Sequence, residues 1–404
     1  MKSSNLIALS IAALVATPAL ADINVGVIAS LTGPAAALGA ETKKAVALFP
    51  TTVGGEKINF IVLDDGTDPT NAVKNVRKLI SEDKVDAILG PNLISTAVAM
   101  ADVANAEKTP MISVAPLDVS GDKRGYIFRS EPSADLMVGR VVADMVEGGA
   151  KTVGFIGFSD SWGELLLKAL TKATEGKIKI VASERYGRAD PSVQAQVLKV
   201  MSAKPDVVFV GASGTPAAMP QITLRERGYK GKIYQSHGVT SKEFLRVGGK
   251  AVEGALIPVG PVLVAEQLPD SHPTKKAAVA FVKEFEAKNG PDSRSTFAGA
   301  SWDAWQLLQN AIVTAQKAKV KSGTPEFRNA LRDGIEKTSK LVGTYTEFAG
   351  SPENAAALVK GLRTGTPITL TQAPAPGAPP PTATTFTAPT RPMGYGNIKI
   401  ALAA

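Results

Sequence analysis

From Asp22 onward, short β-branched runs alternate with longer stretches whose apolar residues recur every three or four positions. That alternation marks parallel strands joined by crossover helices. The runs Ile23 to Ala29, Ile58 to Leu63, Ala87 to Gly90 and Met111 to Ala115 predict a first set of strands. Between them, Asp68-Pro69 makes a cap and first-turn pair for a helix that places Ala72, Val73, Val76, Leu79 and Ile80 on one face. After Glu131-Pro132 a second set follows, Thr152 to Phe158, Lys179 to Tyr186, Val207 to Ala212 and Ile233 to Ser236, each with its own helix. One supersecondary unit written twice in succession predicts an α/β fold of two doubly wound, Rossmann-like lobes rather than one large sheet.

Beyond Gly260 the pattern changes to long helical stretches, Thr274 to Asn289, Thr296 to Lys317 and Pro325 to Lys337, with few strand runs. Such helices must cover a lobe already built, and the simplest path returns the chain to the first. Trp302 and Trp305, three apart on one of these helices, read as core residues. The expected division is therefore residues 22–132 with 260–345 in one lobe and 133–259 with 346–404 in the other. A hinge of several strands between them would permit rotation but not separation. The tail carries β-prone runs at Ile368 to Thr371, Thr385 to Ala388 and Ile398 to Leu402 around a proline-rich segment, residues 373–381. These predict an added ribbon, with the proline segment either extended or disordered.

The first 21 residues carry a different signal. Lys2, the apolar stretch Leu6 to Ala16 and Ala19-Leu20-Ala21 have the order of a cleaved secretory segment, with the mature chain expected to begin at Asp22. The chain contains no cysteine, hence no acyl-anchored N-terminal Cys, and a soluble periplasmic protein is expected. Length beyond that segment exceeds what one core usually holds, which agrees with two lobes. A net charge of +8 raises the question of nucleic acid. The basic residues are scattered, as at Lys43-Lys44 and Lys275-Lys276, with no stripe interleaved with aromatics, so that partner is not expected.

Catalytic chemistry is hard to assemble from this chain. Two histidines, His237 and His272, and no cysteine argue against a metal site or a thiol nucleophile. Gly211-Ala212-Ser213-Gly214-Thr215 and Gly157-Phe158-Ser159-Asp160-Ser161 approach a nucleophile elbow without completing its small-residue pattern. Neither a phosphate loop ending in Lys-Ser/Thr nor a dinucleotide glycine fingerprint is present, so no cofactor and no enzymatic activity are expected. A two-lobed α/β body without a catalytic set points to capture of a small molecule between the lobes, at the carboxyl ends of the strands.

The residues that complete this picture are Ser30-Leu31-Thr32-Gly33-Pro34 after the first strand, Leu63-Asp64-Asp65 before the Asp68-Pro69 helix, Gly90-Pro91, and Arg225-Glu226-Arg227-Gly228-Tyr229-Lys230-Gly231. In that order, from about Ile23 to Phe348, they resemble the type I periplasmic solute-binding proteins of the branched-chain amino acid class. The resemblance implies a monomeric receptor that closes on a ligand and delivers it to an ABC permease and ATPase complex. It also implies binding positions. Asn92, Ser95 and Thr96 occupy the turn after the third strand, where amino acid binders hold the ligand carboxylate; Ser95 could equally cap the helix that starts there. Ala115-Pro116-Leu117 stands where those binders place a hydroxyl and supplies none. Trp162 takes the place of a stacking tyrosine, and His237 that of the acid that pairs with a ligand ammonium. Leu31, Leu38 and Ser213 complete the expected cleft. An imidazole in place of a carboxylate suits a carboxylate or phenolic hydroxyl better than a buried cation. Together with Gly157-Phe158-Ser159-Asp160, Glu184-Arg185-Tyr186, Arg188-Ala189-Asp190 and Val247 to Gly254, this resembles receptors for aromatic acids. An aromatic carboxylate such as a benzoate or hydroxycinnamate is the expected ligand, with a hydrophobic amino acid, or a sensing role at a membrane receptor, as alternatives.

Overall fold

The computed structural model describes residues 22–117, 125–344, 347–349, 368–370 and 384–386. The expected secretory segment, the proline-rich segment 373–381 and the run Ile398 to Leu402 lie outside the described residues. The chain begins with β1 (Ile23–Ala29), α1 (Ala36–Val46), β2 (Thr52–Val53), β3 (Glu56–Asp64), α2 (Pro69–Ser81), β4 (Ala87–Leu89), α3 (Ile94–Ala106), β5 (Met111–Ser113) and β6 (Ile127–Arg129). These strands form one sheet in the order β2-β3-β1-β4-β5-β6, parallel except for the short β2. Next come α4 (Ala134–Glu147), β7 (Thr152–Phe158), α5 (Ser161–Thr174), β8 (Lys179–Tyr186), α6 (Gln194–Ser202), β9 (Val207–Gly211), α7 (Ala218–Glu226), β10 (Lys232–Gln235) and α8 (Lys242–Gly248). A second parallel sheet has the order β10-β9-β7-β8. The expected pair of doubly wound lobes is the observed architecture.

Side-chain alternation explains why each sheet is covered on both faces. On β1, Ile23, Val25 and Val27 face a core shared with Phe281, Phe285, Trp305 and Leu308. Ile28 faces the other way, toward Val76 and Leu79 of α2. The residues facing the first of these cores come from α9 (Lys275–Asn289), α10 (Thr296–Lys317) and α11 (Pro325–Glu336), so the late helices do return to the first sheet. Trp305 is fully buried and stacks on Phe49 at 5.3 Å, while Trp302 is half-buried at the same cluster. On α2 the Asp68 carboxylate accepts from the N–H groups of Thr70 and Asn71 at 2.6 and 3.0 Å, as its sequence predicted, with Ala72, Val76, Leu79 and Ile80 buried and Val73 half-buried.

Several boundaries differ from expectation for local reasons. The third strand stops at Leu89 because Gly90 turns to φ 95°. The fourth stops at Ser113, whose hydroxyl closes a turn by donating to Ala115 O and accepting from Ala115 N. Expectation missed β2, a two-residue hairpin arm before Gly54-Gly55, and the short β6. Toward the C-terminus, β11 (Ser339–Val342) pairs antiparallel with β12 (Glu347–Ala349), and β13 (Ile368–Leu370) with β14 (Thr384–Phe386), a ribbon where one was expected.

Both sheets change winding direction at their central strand. In the first, β1 lies between β3 and β4; in the second, β7 lies between β8 and β9. The crevice at such a reversal, outside the carboxyl ends of the strands, is where doubly wound sheets bind ligands. Here the crevices are bounded by the loops after β1 and β4 in one lobe and after β7 and β9 in the other. Two glycines hold the adjoining helices close. A Cβ at Gly39 on α1 would sit 2.0 Å from Ser30 O, and one at Gly163 on α5 would sit 1.9 Å from Phe158 O. Each helix can therefore start directly over the end of its strand only with glycine at that position.

Candidate functional site

The loops at the two reversals face each other. A Cβ at Gly214, after β9, would lie 3.0 Å from Leu38 Cδ1 and 3.8 Å from Pro34 O, so the second lobe's loop rests against the first lobe's α1. Lys242 of α8 adds a second bridge by donating to Pro291 O at 2.5 Å. The residues named from sequence lie in the loops after β1, β4, β5, β9 and β10 and in α1, α3 and α5.

On the first wall, Leu38 clusters with Ala35, Leu93 and Phe297, all buried, and Leu31 is half-buried at the rim with its N–H on Asp64 Oδ1 at 2.8 Å. Asn92 is buried and its amide donates to Thr42 Oγ1 at 2.7 Å. Thr42 in turn contacts Ser301 Oγ at 2.9 Å, which fixes the Asn92 amide and leaves Asn92 Oδ1 buried without a partner. The helix after β4 is not capped by Ser95. Its cap position is Leu93, which contributes no side-chain acceptor, and Ser95 lies within the first turn, half-buried. Thr96 is buried and its hydroxyl donates back to Leu93 O at 3.0 Å, a bond within the helix. The first N–H groups of α3 thus have no capping side chain, and such groups carry a partial positive charge. Ala115, Pro116 and Leu117 are buried beyond β5, with the neighbouring Ser113 hydroxyl already committed to the turn.

On the opposite wall, the stretch resembling a nucleophile elbow is a strand-to-helix cap. Asp160 Oδ1 accepts from Trp162 N and Gly163 N at 2.9 and 3.2 Å. Trp162, 5% exposed, sends its indole N–H across the reversal to Ala212 O at 3.3 Å. Its ring meets His237 edge-on, with centroids 5.3 Å apart and planes at 89°. The Ser236 hydroxyl donates to the same Ala212 carbonyl at 2.5 Å and accepts from Gly238 N, and Gly214 N donates to Gly238 O at 2.8 Å. These bonds stitch the loops after β9 and β10 together and hold Trp162, Ser213 and His237 in one patch.

Two polar groups escaped the sequence reading. Arg188, in the loop after β8, binds Asp160 Oδ2 at 2.5 Å and Ser213 Oγ at 3.0 Å, and its guanidinium lies 4.1 Å over the Phe158 ring. It ties together the ends of β7 and β9. The Arg188-Ala189-Asp190 motif was noticed without a place in space, and only the strand order supplies that place. Glu131 is the second. In the sequence it marks only the boundary between the strand sets, yet its carboxyl oxygen lies 3.7 Å from His237 Nε2.

Burial governs the charge of that pair. Both side chains are almost inaccessible, and the two carboxyl oxygens of Glu131 and His237 Nδ1 are without hydrogen-bond partners. Desolvation pushes the His237 imidazole down to about 3 and drives the Glu131 carboxyl well above the usual carboxylate range, helped by the Asp303 carboxylate and opposed by Arg129. A contact of 3.7 Å would be an ion pair if the proton moved to histidine. Isolation from water disfavours both charges and favours an uncharged acid beside an uncharged imidazole.

A family profile described as "Periplasmic binding protein" matches residues 22–366. The chain belongs to the periplasmic binding protein family. Members of this family are small-molecule receptors of the periplasm that deliver ligands to ABC transporters. Among relatives, the Leu/Ile/Val-binding protein homolog 3 of Brucella melitensis is 26% identical over 87% of this chain and 86% of its own. The crystal structure of an extracellular ligand-binding receptor from Rhodopseudomonas palustris HaA2 is 42% identical, with a TM-score of 0.79, covering 82% of this chain and 93% of that one. A solute-binding protein of an ABC transporter from R. palustris, solved in complex with benzoate, shares the fold at 22% identity and a TM-score of 0.71, over 82% and 90% of the two chains.

Proposed function

We propose that this periplasmic binding protein captures a small aromatic carboxylate, such as a benzoate or hydroxycinnamate, between its lobes and hands it to an ABC permease. The observation that carries this reading is the chemistry of the two walls. Leu38, Leu93 and Phe297 on one side and Trp162 on the other give the cleft an apolar interior suited to a flat ring. The start of α3 has no side-chain cap, and in this reading its N–H groups and dipole receive the anion. At the position where amino acid binders meet an ammonium stands His237, uncharged by burial. In this reading Leu31, Asn92, Ser95 and Thr96 bind first, and closure brings Trp162, Ser213 and His237 onto the ligand. Closure is a shift of an existing equilibrium toward the state with more ligand contacts.

The names of curated relatives, Leu/Ile/Val-binding proteins, favour a second reading in which the ligand is a branched-chain amino acid. Titration calorimetry with leucine, isoleucine, valine, benzoate and 4-hydroxycinnamate separates the two. An aromatic acid is expected to bind and the amino acids to give no heat. Tight leucine binding with silence from every aromatic acid overturns the proposal.

A further inference from the structure

The hinge contributes a group that no wall of the cleft accounts for. Glu131 sits where the chain leaves β6 for the second lobe, immediately before Pro132. Its partner across 3.7 Å, His237, belongs to the loop after β10 of that lobe. The pair therefore spans the hinge and the second wall, and Trp162 packs edge-on against its imidazole. Around it stand Asp303 of α10, whose carboxylate already accepts from Thr344 N at 2.6 Å, and Arg129 of β6, which donates to Leu117 O at 3.1 Å. Both Glu131 carboxyl oxygens and His237 Nδ1 are buried without hydrogen-bond partners.

We propose that Glu131 and His237 together form a hydroxyl-selecting site, a buried acid–imidazole pair that receives the hydroxyl of a hydroxylated aromatic acid. The inference rests on the aromatic-acid reading above and adds the ring substituent to it. The chemistry of the pair decides between ligand groups. A neutral carboxylic acid offers one O–H donor and acceptor oxygens, and a neutral imidazole offers one N–H and one bare nitrogen. An ammonium brought there would need an anion, and a second carboxylate would need a cation; a hydroxyl, being donor and acceptor at once, satisfies both members without moving a charge. A site built to hydrogen-bond a hydroxyl discriminates against the analogue that lacks it, because the buried polar groups are then left unpaired.

The test compares matched acids by calorimetry on the full-length mature protein: 4-hydroxybenzoate with benzoate, and 4-hydroxycinnamate with cinnamate. The wild type is expected to prefer the hydroxylated member by about tenfold or more. Glu131→Gln, which keeps an uncharged donor and acceptor in the same shape, should retain that preference within about threefold, whereas Glu131→Leu should abolish it while still binding the plain acids. Thermal unfolding of both variants identifies any that fail to fold, and Glu131→Gln carries the test if Glu131→Leu does not. Equal binding of hydroxylated and plain acids by the wild type, loss of the preference in Glu131→Gln, or its survival in Glu131→Leu each overturns the hydroxyl site while leaving the aromatic-acid reading standing. Leucine binding in place of every aromatic acid overturns both.

Discussion

Replacing Trp162 separates a ligand wall from a core side chain, because the two roles carry different energies. The ring is 5% exposed and belongs to the second lobe's core, so Trp162→Ala should cost stability on the scale of a large buried truncation, about 3–5 kcal/mol. Part of that is the edge-on contact with His237, an arrangement with about 0.5–1.5 kcal/mol of its own. Trp162→Phe is milder. It removes the N–H bond to Ala212 O, but that carbonyl keeps the Ser236 hydroxyl at 2.5 Å, so no buried acceptor is orphaned and the loss should stay near 1 kcal/mol. If the ring also forms the ligand wall, Trp162→Ala should weaken aromatic-acid binding at least tenfold, about 1.4 kcal/mol, and Trp162→Phe by much less. Denaturant unfolding measures the first quantity and calorimetry with 4-hydroxycinnamate the second, under conditions where the Ala variant is still folded. A folded Trp162→Ala protein with unchanged affinity would refute the placement of the indole on the cleft and leave it a core residue.

Two further perturbations address closure and pH. Gly214 has φ 62° and ψ −159°, a conformation nearly reserved for glycine, and its missing Cβ faces Leu38 across the cleft. Gly214→Ala should therefore reduce the compaction seen by small-angle scattering on adding ligand, and Leu38→Ala in the same protein should restore part of it; no restoration would mean that strain within the loop, not contact between lobes, is responsible. Asp86 is buried and bonded to the N–H groups of Asn24 and Gly323, yet desolvation pushes its carboxyl up to about 6 from an ordinary 3.8. A folded value above the unfolded one means a contribution fully present below 3.8 and lost as pH rises through about 6, on the order of 3 kcal/mol across that window. The stability difference between wild type and Asp86→Asn, followed by denaturant unfolding from pH 4 to 7, should shift against the wild type as pH rises; a flat difference would refute the assignment.

The elements legible in the sequence are those whose physics is local. Asp68-Pro69 announces α2 because cap and first-turn geometry need only neighbouring residues, and β7 and β8 begin and end where their β-branched runs do. Strand ends set by a single turn were less legible, as at Ser113, where one hydroxyl bonded to Ala115 ends the strand inside an unbroken apolar run. Ser95 is open between capping and binding in the sequence because spacing alone does not reveal that the helix starts at Ile94, two residues earlier than a Ser95 cap would require. Arg188 and Glu131 were illegible as site residues for a different reason. Their partners lie 28 and 106 positions away in the chain, at Asp160 and His237, and only the strand order and the hinge crossing bring them together.

The charge arrangement of the cleft bears on which ligand such a receptor can hold. Arg188 is already matched by Asp160, and that carboxylate also caps α5, so the second wall presents no net charge at its reversal. Glu131 and His237 add none while burial keeps them neutral. In the proposed mode the first wall differs, because α1 and α3 start at Ala35 and Leu93 without a side-chain cap. A zwitterion would find its carboxylate served by those groups and its ammonium facing an uncharged acid, which must ionise beside Asp303 in order to pair with it. That ionisation costs what burial and the neighbouring carboxylate charge for it. In the proposed mode a simple aromatic anion avoids the cost, since its one charge would meet the helix ends and its ring the buried side chains of Leu38, Phe297 and Trp162. On the proposed reading, selection against amino acids follows from where charge has been neutralised, and substituting Glu131 by glutamine, which fixes that neutrality, should leave leucine without binding heat, as in the wild type.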